Sequence, residues 1–231
     1  MTIAAAVLAL LGGAAPSPAF HSPTELQAWL TYYHREPRPE LVVAALVALE
    51  NELPRHGSTL EAEAARGGMR SFFGRVLAKS PDAVVEVEGH PFAPGTRHFV
   101  AEALWRCGTK ACASALARWG VEAGPPAPDL RAVPVDSRSA IDDLWASYSA
   151  TGDRAYVERV IAALPASLAP DATAAAGVGA AALRSLTSSA IADSDVLAVC
   201  VESAATAAPD RKAVLDNIVR RARRARGEDP G

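Results

Sequence analysis

Alanine fills 51 of the 231 positions, while aromatic residues make up only 6%. No other feature of the chain constrains its fold as much. Half of the residues are hydrophobic, so nearly half of that apolar share is a one-carbon side chain. Alanine is the best helix former, and its small side chain lets helix axes approach closely. A β-sandwich or barrel needs many β-branched and aromatic strand positions, so both are excluded. The apolar content is enough to bury a core, which excludes a disordered chain. The net charge of −3, with 21% charged residues, is too balanced for a general nucleic-acid binder. The length suits one large domain or two small ones.

Helix signals run along the whole chain, each with its own punctuation. Ser22-Pro23-Thr24-Glu25 is a capping box with proline at the first helical position, opening a helix with Leu26, Trp29, Leu30 and Tyr33 on one face. Pro37 and Pro39 separate it from a helix over about 40–52, closed by Pro54 and Gly57. A third helical region spans about 58–79, where Gly67-Gly68 predicts a break and Met69, Phe72, Phe73, Val76 and Leu77 form the next stripe. Ser80-Pro81-Asp82 predicts a capped short helix through Val87. Helices over 96–107 and 110–119 flank a turn at Gly108-Thr109.

Gly124-Pro125-Pro126-Ala127-Pro128, with Pro134 six residues on, predicts a linker over 123–136. It separates a helical half at 20–122 from another at 137–226, with 227–231 a disordered tail. In the second half Asp136 or Ser137 caps a helix with Ile141, Leu144, Trp145 and Tyr148 as its stripe. Thr151-Gly152-Asp153 ends that helix and caps the next, whose apolar face is Tyr156, Val157, Val160, Ile161 and Leu164. An alanine-rich helix over 171–191 follows, where Gly177 and Gly179 predict close packing. Asp193-Ser194-Asp195 and Pro209-Asp210 start the last two helices, the second with Val214, Ile218 and Leu215 facing inward. The expected fold is all-α, with antiparallel helix pairs stacked as a degenerate α-solenoid of the TPR or HEAT kind, or packed as a compact bundle.

Residues Ile3 to Leu11 (IAAAVLALL) form a nine-residue apolar run, too short for an ordinary transmembrane helix. It fits the core of a secretory signal peptide over 1–19, with Ser17-Pro18-Ala19 as the cleavage site. No Lys or Arg precedes the run, so the first helix of the mature fold is the competing reading. Export would place the protein in the periplasm or medium, with no transmembrane segment in the mature form. The alternative is a cytoplasmic protein. Of the three cysteines, Cys107 and Cys112 flank the Gly108-Thr109 turn and are a candidate disulfide. The other reading makes Cys107, Cys112 and Cys200 small buried hydrophobes. A C-x₄-C pair with no second pair nearby does not make a zinc site.

The run from Ile141 to Leu164 (IDDLWASYSATGDRAYVERVIAAL) carries an LW, an ATGD and then valine and isoleucine positions that join two helices. It resembles a loosely defined set of bacterial, exported, all-helical proteins without an assigned activity. Tyr32 to Glu40, Phe72-Phe73 with Ser80-Pro81-Asp82, and Ala103-Leu104-Trp105 with Gly108-Thr109 look like matching segments. The resemblance implies the fold and export and transfers no catalytic residue. The cysteines replace ordinary residues of that pattern, so a disulfide would be peculiar to this chain.

Residues with catalytic chemistry are scattered. His21, His34, His56, His90 and His98 form neither H-x₃-H nor H-E-x₂-H. His90 and His98 straddle a Pro/Gly turn and could meet Glu86 or Glu88 at a metal, against the blander reading of loop histidines. Asp142-Asp143 at a helix start complements the dipole more readily than it makes a catalytic pair. Gly177-x-Gly179 follows no strand, and Ser185, Ser188 and Ser189 lack a nucleophile elbow. No cofactor, metal or catalytic residue is expected.

The sharpest charge feature is Arg220-Arg221-Ala222-Arg223-Arg224-Ala225-Arg226, five arginines in seven residues, while residues 1–219 sum to −6. It reads as a docking patch or as a solvated helix end whose cations suit the dipole. The expected function is a non-enzymatic scaffold for a protein or peptide partner, with Tyr32, Tyr33, Arg220, Arg221, Arg223 and Arg224 as candidate contacts. Trp105, Trp145 and Tyr148 are further aromatics that belong to a core or a partner surface. The alternatives are a membrane or nucleic-acid adaptor using the arginine run, and an all-α metal-dependent enzyme.

Overall fold

A computed structural model describes residues 19–50, 60–164 and 174–228. Every regular element among them is helical, so the fold is all-α. The apolar run Ile3–Leu11 and residues 229–231 of the expected tail lie outside the described residues. The chain divides into two compact units. Of the described residues, the first holds 19–50, 60–129 and 146–152, and the second holds 130–145, 153–164 and 174–228.

The first unit opens with α1 (Pro23–Tyr32), whose start is fixed by local hydrogen bonds. Ser22 Oγ accepts the Glu25 N–H at 3.2 Å, and the Glu25 carboxylate accepts the His21 N–H at 2.7 Å. The reciprocal bond thus lands one residue before the cap. A 3₁₀ turn (Pro39–Leu41) leads into α2 (Val42–Glu50). Then come α3 (Leu60–Lys79), α4 (Pro81–Gly89), α5 (Pro94–Cys107) and α6 (Lys110–Arg118).

The expected break at Gly67-Gly68 does not occur, because α3 is continuous. Two glycines cost a helix interior about 1 kcal/mol each, but Gly68 is buried and the stripe from Met69 through Leu77 packs inward. Tertiary packing outweighs propensity here. At Gly74 the neighbouring helix comes very close: a Cβ there would lie 2.9 Å from Arg106 Cβ and 3.0 Å from the Ala103 carbonyl oxygen. The expected Ser80 cap is also absent, since its side chain makes no capping bond to α4. Ser80 bonds the Tyr33 hydroxyl instead.

The core of this unit is a chain of rings. Trp29 meets Phe20, Tyr33 and Phe72 edge-on at centroid distances of 5.2–5.7 Å, and Phe73 continues the contact to Phe99. Residues 146–152, the second half of α7 (Arg138–Thr151) and the glycine after it, belong with this unit, which differs from the expected halves at 20–122 and 137–226. Ala146 and Ala150 join the ring cluster. The Ser149 carbonyl accepts both the His34 backbone N–H at 3.0 Å and His34 Nδ1–H at 3.2 Å. Gly152 ends α7 at φ +67°, and a Cβ there would sit 3.3 Å from the His34 ring.

The division between the units falls at 129/130, inside the proline-rich stretch. That stretch is fixed on both sides of the division. Trp105 Nε1 donates to the Pro125 carbonyl at 2.8 Å in the first unit, and Arg159 donates to the Val133 carbonyl at 2.6 Å in the second.

The second unit takes the start of α7, where Ser137 Oγ accepts the Ala140 N–H at 3.2 Å. It continues with α8 (Arg154–Ala162), α9 (Ala174–Ala192), α10 (Ser194–Thr206) and α11 (Pro209–Ala225). Asp153 Oδ1 accepts the Ala155 N–H at 3.0 Å and Asp193 Oδ1 the Asp195 N–H at 2.9 Å, the two caps expected from sequence. α9, α10 and α11 pack on one another, and α8 lies against α9 and α10. Their shared core is Ala182, Leu186, Val196, Cys200, Leu215 and Ile218. Gly177 departs from expectation. It is exposed with open space around it, whereas Gly179 is buried.

Candidate functional site

Two faces divide α11. Val214, Leu215, Ile218 and Ala222 are buried as one stripe at helical spacing. At 3.6 residues per turn, Arg220, Arg221, Arg223 and Arg224 cover an arc of about 160° on the other side. All four are exposed, and among the described residues none of their guanidinium groups has an ion pair or hydrogen-bond partner. Several exposed cations elsewhere meet carboxylates. Arg38 pairs with Glu40 at 3.2 Å, Lys212 with Asp216 at 3.0 Å, and Arg118 with both oxygens of Glu88.

Arg226, the fifth of the run, behaves differently. Its Nε donates to the Ile191 carbonyl at 3.0 Å, which ties the end of α11 to the end of α9, and its Nη1 lies 3.5 Å from Glu228. The arginine run is therefore one structural residue and four free ones. Like charges three and four residues apart repel, by roughly 0.2–0.5 kcal/mol per pair. The negative end of the helix offsets part of that. Chemically the face is a set of permanently charged, planar donors, the geometry that binds carboxylates two oxygens at a time.

The two tyrosines expected as contacts separate. Tyr32 is exposed, with the Arg35 guanidinium 5.1 Å from its ring centre. Tyr33 is a correction: it is buried among Trp29 and Phe72, bonded to Ser80, and its hydroxyl pKa is pushed up by that burial. A side chain enclosed this way contacts no partner. Trp145 and Tyr148 are likewise buried, and Trp105 is half-buried with its N–H on Pro125.

Cys107 and Cys112 are joined, with a Sγ–Sγ distance of 2.03 Å. The bond spans the turn where Gly108 takes φ +69° and Thr109 Oγ1 accepts the Cys112 N–H at 3.3 Å. Cys200 is a buried thiol whose pKa burial pushes up to about 12, which leaves it unreactive.

His56 lies outside the described residues, and the other histidines do not converge on a metal-binding cluster. Among the described residues no group of His, Cys, Asp and Glu could hold a metal ion, so His90, His98, Glu86 and Glu88 form no such cluster. His98 lies 3.8 Å from Glu102, and His90 stacks on Phe92 at 4.5 Å. His34 stands in the turn after α1 and is partly buried. Its Nδ1–H is held by Ser149, its ring lies 5.0 Å from that of Tyr148, and its Nε2 is buried with no hydrogen-bond partner among the described residues.

Asp142 and Asp143 do not open α7 as expected: the helix starts at Arg138 and places them in its second turn, where Asp142 is half-buried and burial pushes its carboxyl pKa up to about 6. Ser185 and Ser188 donate to helix carbonyls at 3.1 and 2.7 Å, as ordinary helical serines do. No described helix is long and apolar enough to cross a membrane. The chain matches no protein-family model, no curated protein and no solved structure.

Proposed function

We propose that this protein is an exported, non-enzymatic helical scaffold whose arginine face on α11 docks an acidic segment of a partner protein. The observation that carries this reading is the clustering of four exposed arginines within five consecutive residues, none of whose guanidinium groups meets a carboxylate among the described residues. Free guanidinium groups favour carboxylates because each fork meets two oxygens. A lipid bilayer suits the face less well. The apolar stripe of α11 is buried, and no large apolar residue is exposed on that helix to enter the lipid. A long phosphate backbone is also a poorer occupant, because beyond the patch it would meet a chain whose residues 1–219 sum to −6. A short acidic segment avoids both difficulties.

Export draws support from the apolar run Ile3–Leu11, from Ser17-Pro18-Ala19, and from the resemblance of Ile141–Leu164 to exported helical proteins. The Cys107–Cys112 bond suits an oxidising compartment. Cleavage after Ala19 would leave Phe20, which packs on Trp29 at 5.7 Å, as the mature N-terminus. N-terminal sequencing of protein from the periplasm or medium should begin at Phe20. An intact Met1 on a cytoplasmic pool would overturn export.

The docking reading is tested by titrating the full chain with a hexaglutamate peptide, a short DNA duplex and phosphatidylserine vesicles across a salt series. The peptide should bind most tightly and weaken as salt rises. Tighter binding of the duplex or the vesicles would assign the face to that occupant instead.

A further inference from the structure

The second unit also contains a cleft of about 590 Å³ between α8, the end of α10 and the start of α11. That volume lies within the range of small-molecule sites. Its charged groups are unequally satisfied. Arg154 of α8 is held on two sides, by Glu158 at 3.1 Å and by Glu202 at 2.6 Å. Arg211, in the first turn of α11, is partly buried and has no hydrogen bond, ion pair or ring contact among the described residues. Ser203 and Thr206 line the same cleft from one turn of α10, and their hydroxyls have no protein partner there either. A guanidinium keeps its charge when it is drawn partly out of water, so an acceptor from outside is stabilising.

The charge balance selects the acceptor. Two glutamates offset two arginines in the lining, so the cleft is neutral before anything binds. A single carboxylate can pair with Arg211 and take a hydroxyl hydrogen bond from Thr206. A phosphate dianion would bring a second negative charge towards Glu158 and Glu202 with no further cation to meet it. Ile161, Ala207 and Ala208 supply apolar contact for the carbon chain next to the carboxylate.

We infer that this cleft binds a monocarboxylate bearing a short apolar chain, with Arg211 as its counter-charge. A free organic acid and the C-terminus of a peptide share that chemistry. The inference does not rest on the arginine face, because Arg211 precedes Arg220 by about 14 Å along the helix axis.

The test is calorimetric titration of the full chain with butyrate, N-acetyl-trialanine, the amide of that peptide, and inorganic phosphate. At least one of the two carboxylates should bind saturably, and the amide and phosphate should bind about tenfold or more weakly. Arg211→Gln should weaken the carboxylate about tenfold or more without altering the thermal melt, and Arg211→Lys should retain much of the binding. Tighter binding of the peptide acid than of butyrate would name a peptide C-terminus as the occupant, and the reverse would name a free acid. Absence of saturable binding by either acid into the millimolar range would overturn the inference. So would amide or phosphate binding as strong as the acid, or an Arg211→Gln variant equal to the unaltered protein.

Discussion

The two units use the same alanine-rich helices and hold them together by different means. In the first, Phe20, Trp29, Tyr33, Phe72, Phe73 and Phe99 interlock as rings, Gly74 lets α5 come close to α3, and the turn between α5 and α6 is closed by a disulfide. In the second, the core is mainly aliphatic, centred on Leu186, Val196, Leu215 and Ile218, with Trp145 and Tyr156 also buried. It also keeps groups that a purely structural unit has no need of: a half-buried carboxyl at Asp142, a cation without a partner at Arg211, and the free arginines of α11. Rings bury the most area and lock one another's geometry. The interlocked ring cluster therefore belongs to the first unit, and the arginine face and the Arg211 cleft to the second.

The largest effect should come from breaking the ring cluster. Phe73→Ala should cost about 3–5 kcal/mol, and Leu186→Ala, the matching change in the aliphatic core, about 1 kcal/mol less because no ring contacts are lost. Urea denaturation of the two variants measures this directly. A Leu186→Ala cost equal to or above that of Phe73→Ala would break the comparison.

Next come two of the left-handed glycines. Gly108 and Gly152 have nearly the same φ, +69° and +67°, so valine at either adds about 1–2 kcal/mol of backbone cost. Their surroundings differ. Nothing lies near a Cβ at Gly108, whereas one at Gly152 presses on His34 at 3.3 Å. Gly152→Val should therefore destabilise more than Gly108→Val. Equal costs would mean that the His34 ring yields and is not part of what fixes the turn.

A smaller effect attaches to Asp142. Its folded-state pKa is raised to about 6 by burial, so the folded protein holds this proton more tightly than the unfolded chain does. Its contribution is fully present below about pH 4 and is lost as pH rises towards and past 6. With solvent screening of a partly exposed group, the change amounts to about 1–2 kcal/mol. Asp142→Asn should match the unaltered protein near pH 4 and become the more stable of the two by pH 7. A stability difference that does not vary with pH would contradict the burial of this carboxyl.

What the sequence reveals is what is local and periodic. The caps at Ser22, Asp153 and Asp193 and the buried stripes of α1, α8 and α11 depend on neighbours within a turn or two, and each stands where its spacing predicts. The readings that fail depend on distant partners. The continuity of α3 through Gly67-Gly68 comes from packing, and Ser80 leaves its capping role for Tyr33, 47 residues earlier in the chain. The assignment of 146–152 to the first unit comes from His34 and Ser149, 115 positions apart. The arginine run is plain in the sequence, yet only the bond from Arg226 to Ile191 separates one structural arginine from four free ones. The cleft leaves no trace in the sequence, because Arg154, Glu202 and Arg211 come from three helices and share no spacing rule.

The central claim is that the arginine face exists for binding and adds nothing to the fold. One preparation tests it most directly: the full chain with Arg220→Gln, Arg221→Gln, Arg223→Gln and Arg224→Gln together, followed by thermal melting and by hexaglutamate titration. The account predicts a stability within about 0.5 kcal/mol of the unaltered protein, as for surface changes in general, together with loss of peptide binding. Retained binding would contradict it, and so would a melt lowered by several degrees, which would make the face part of the fold.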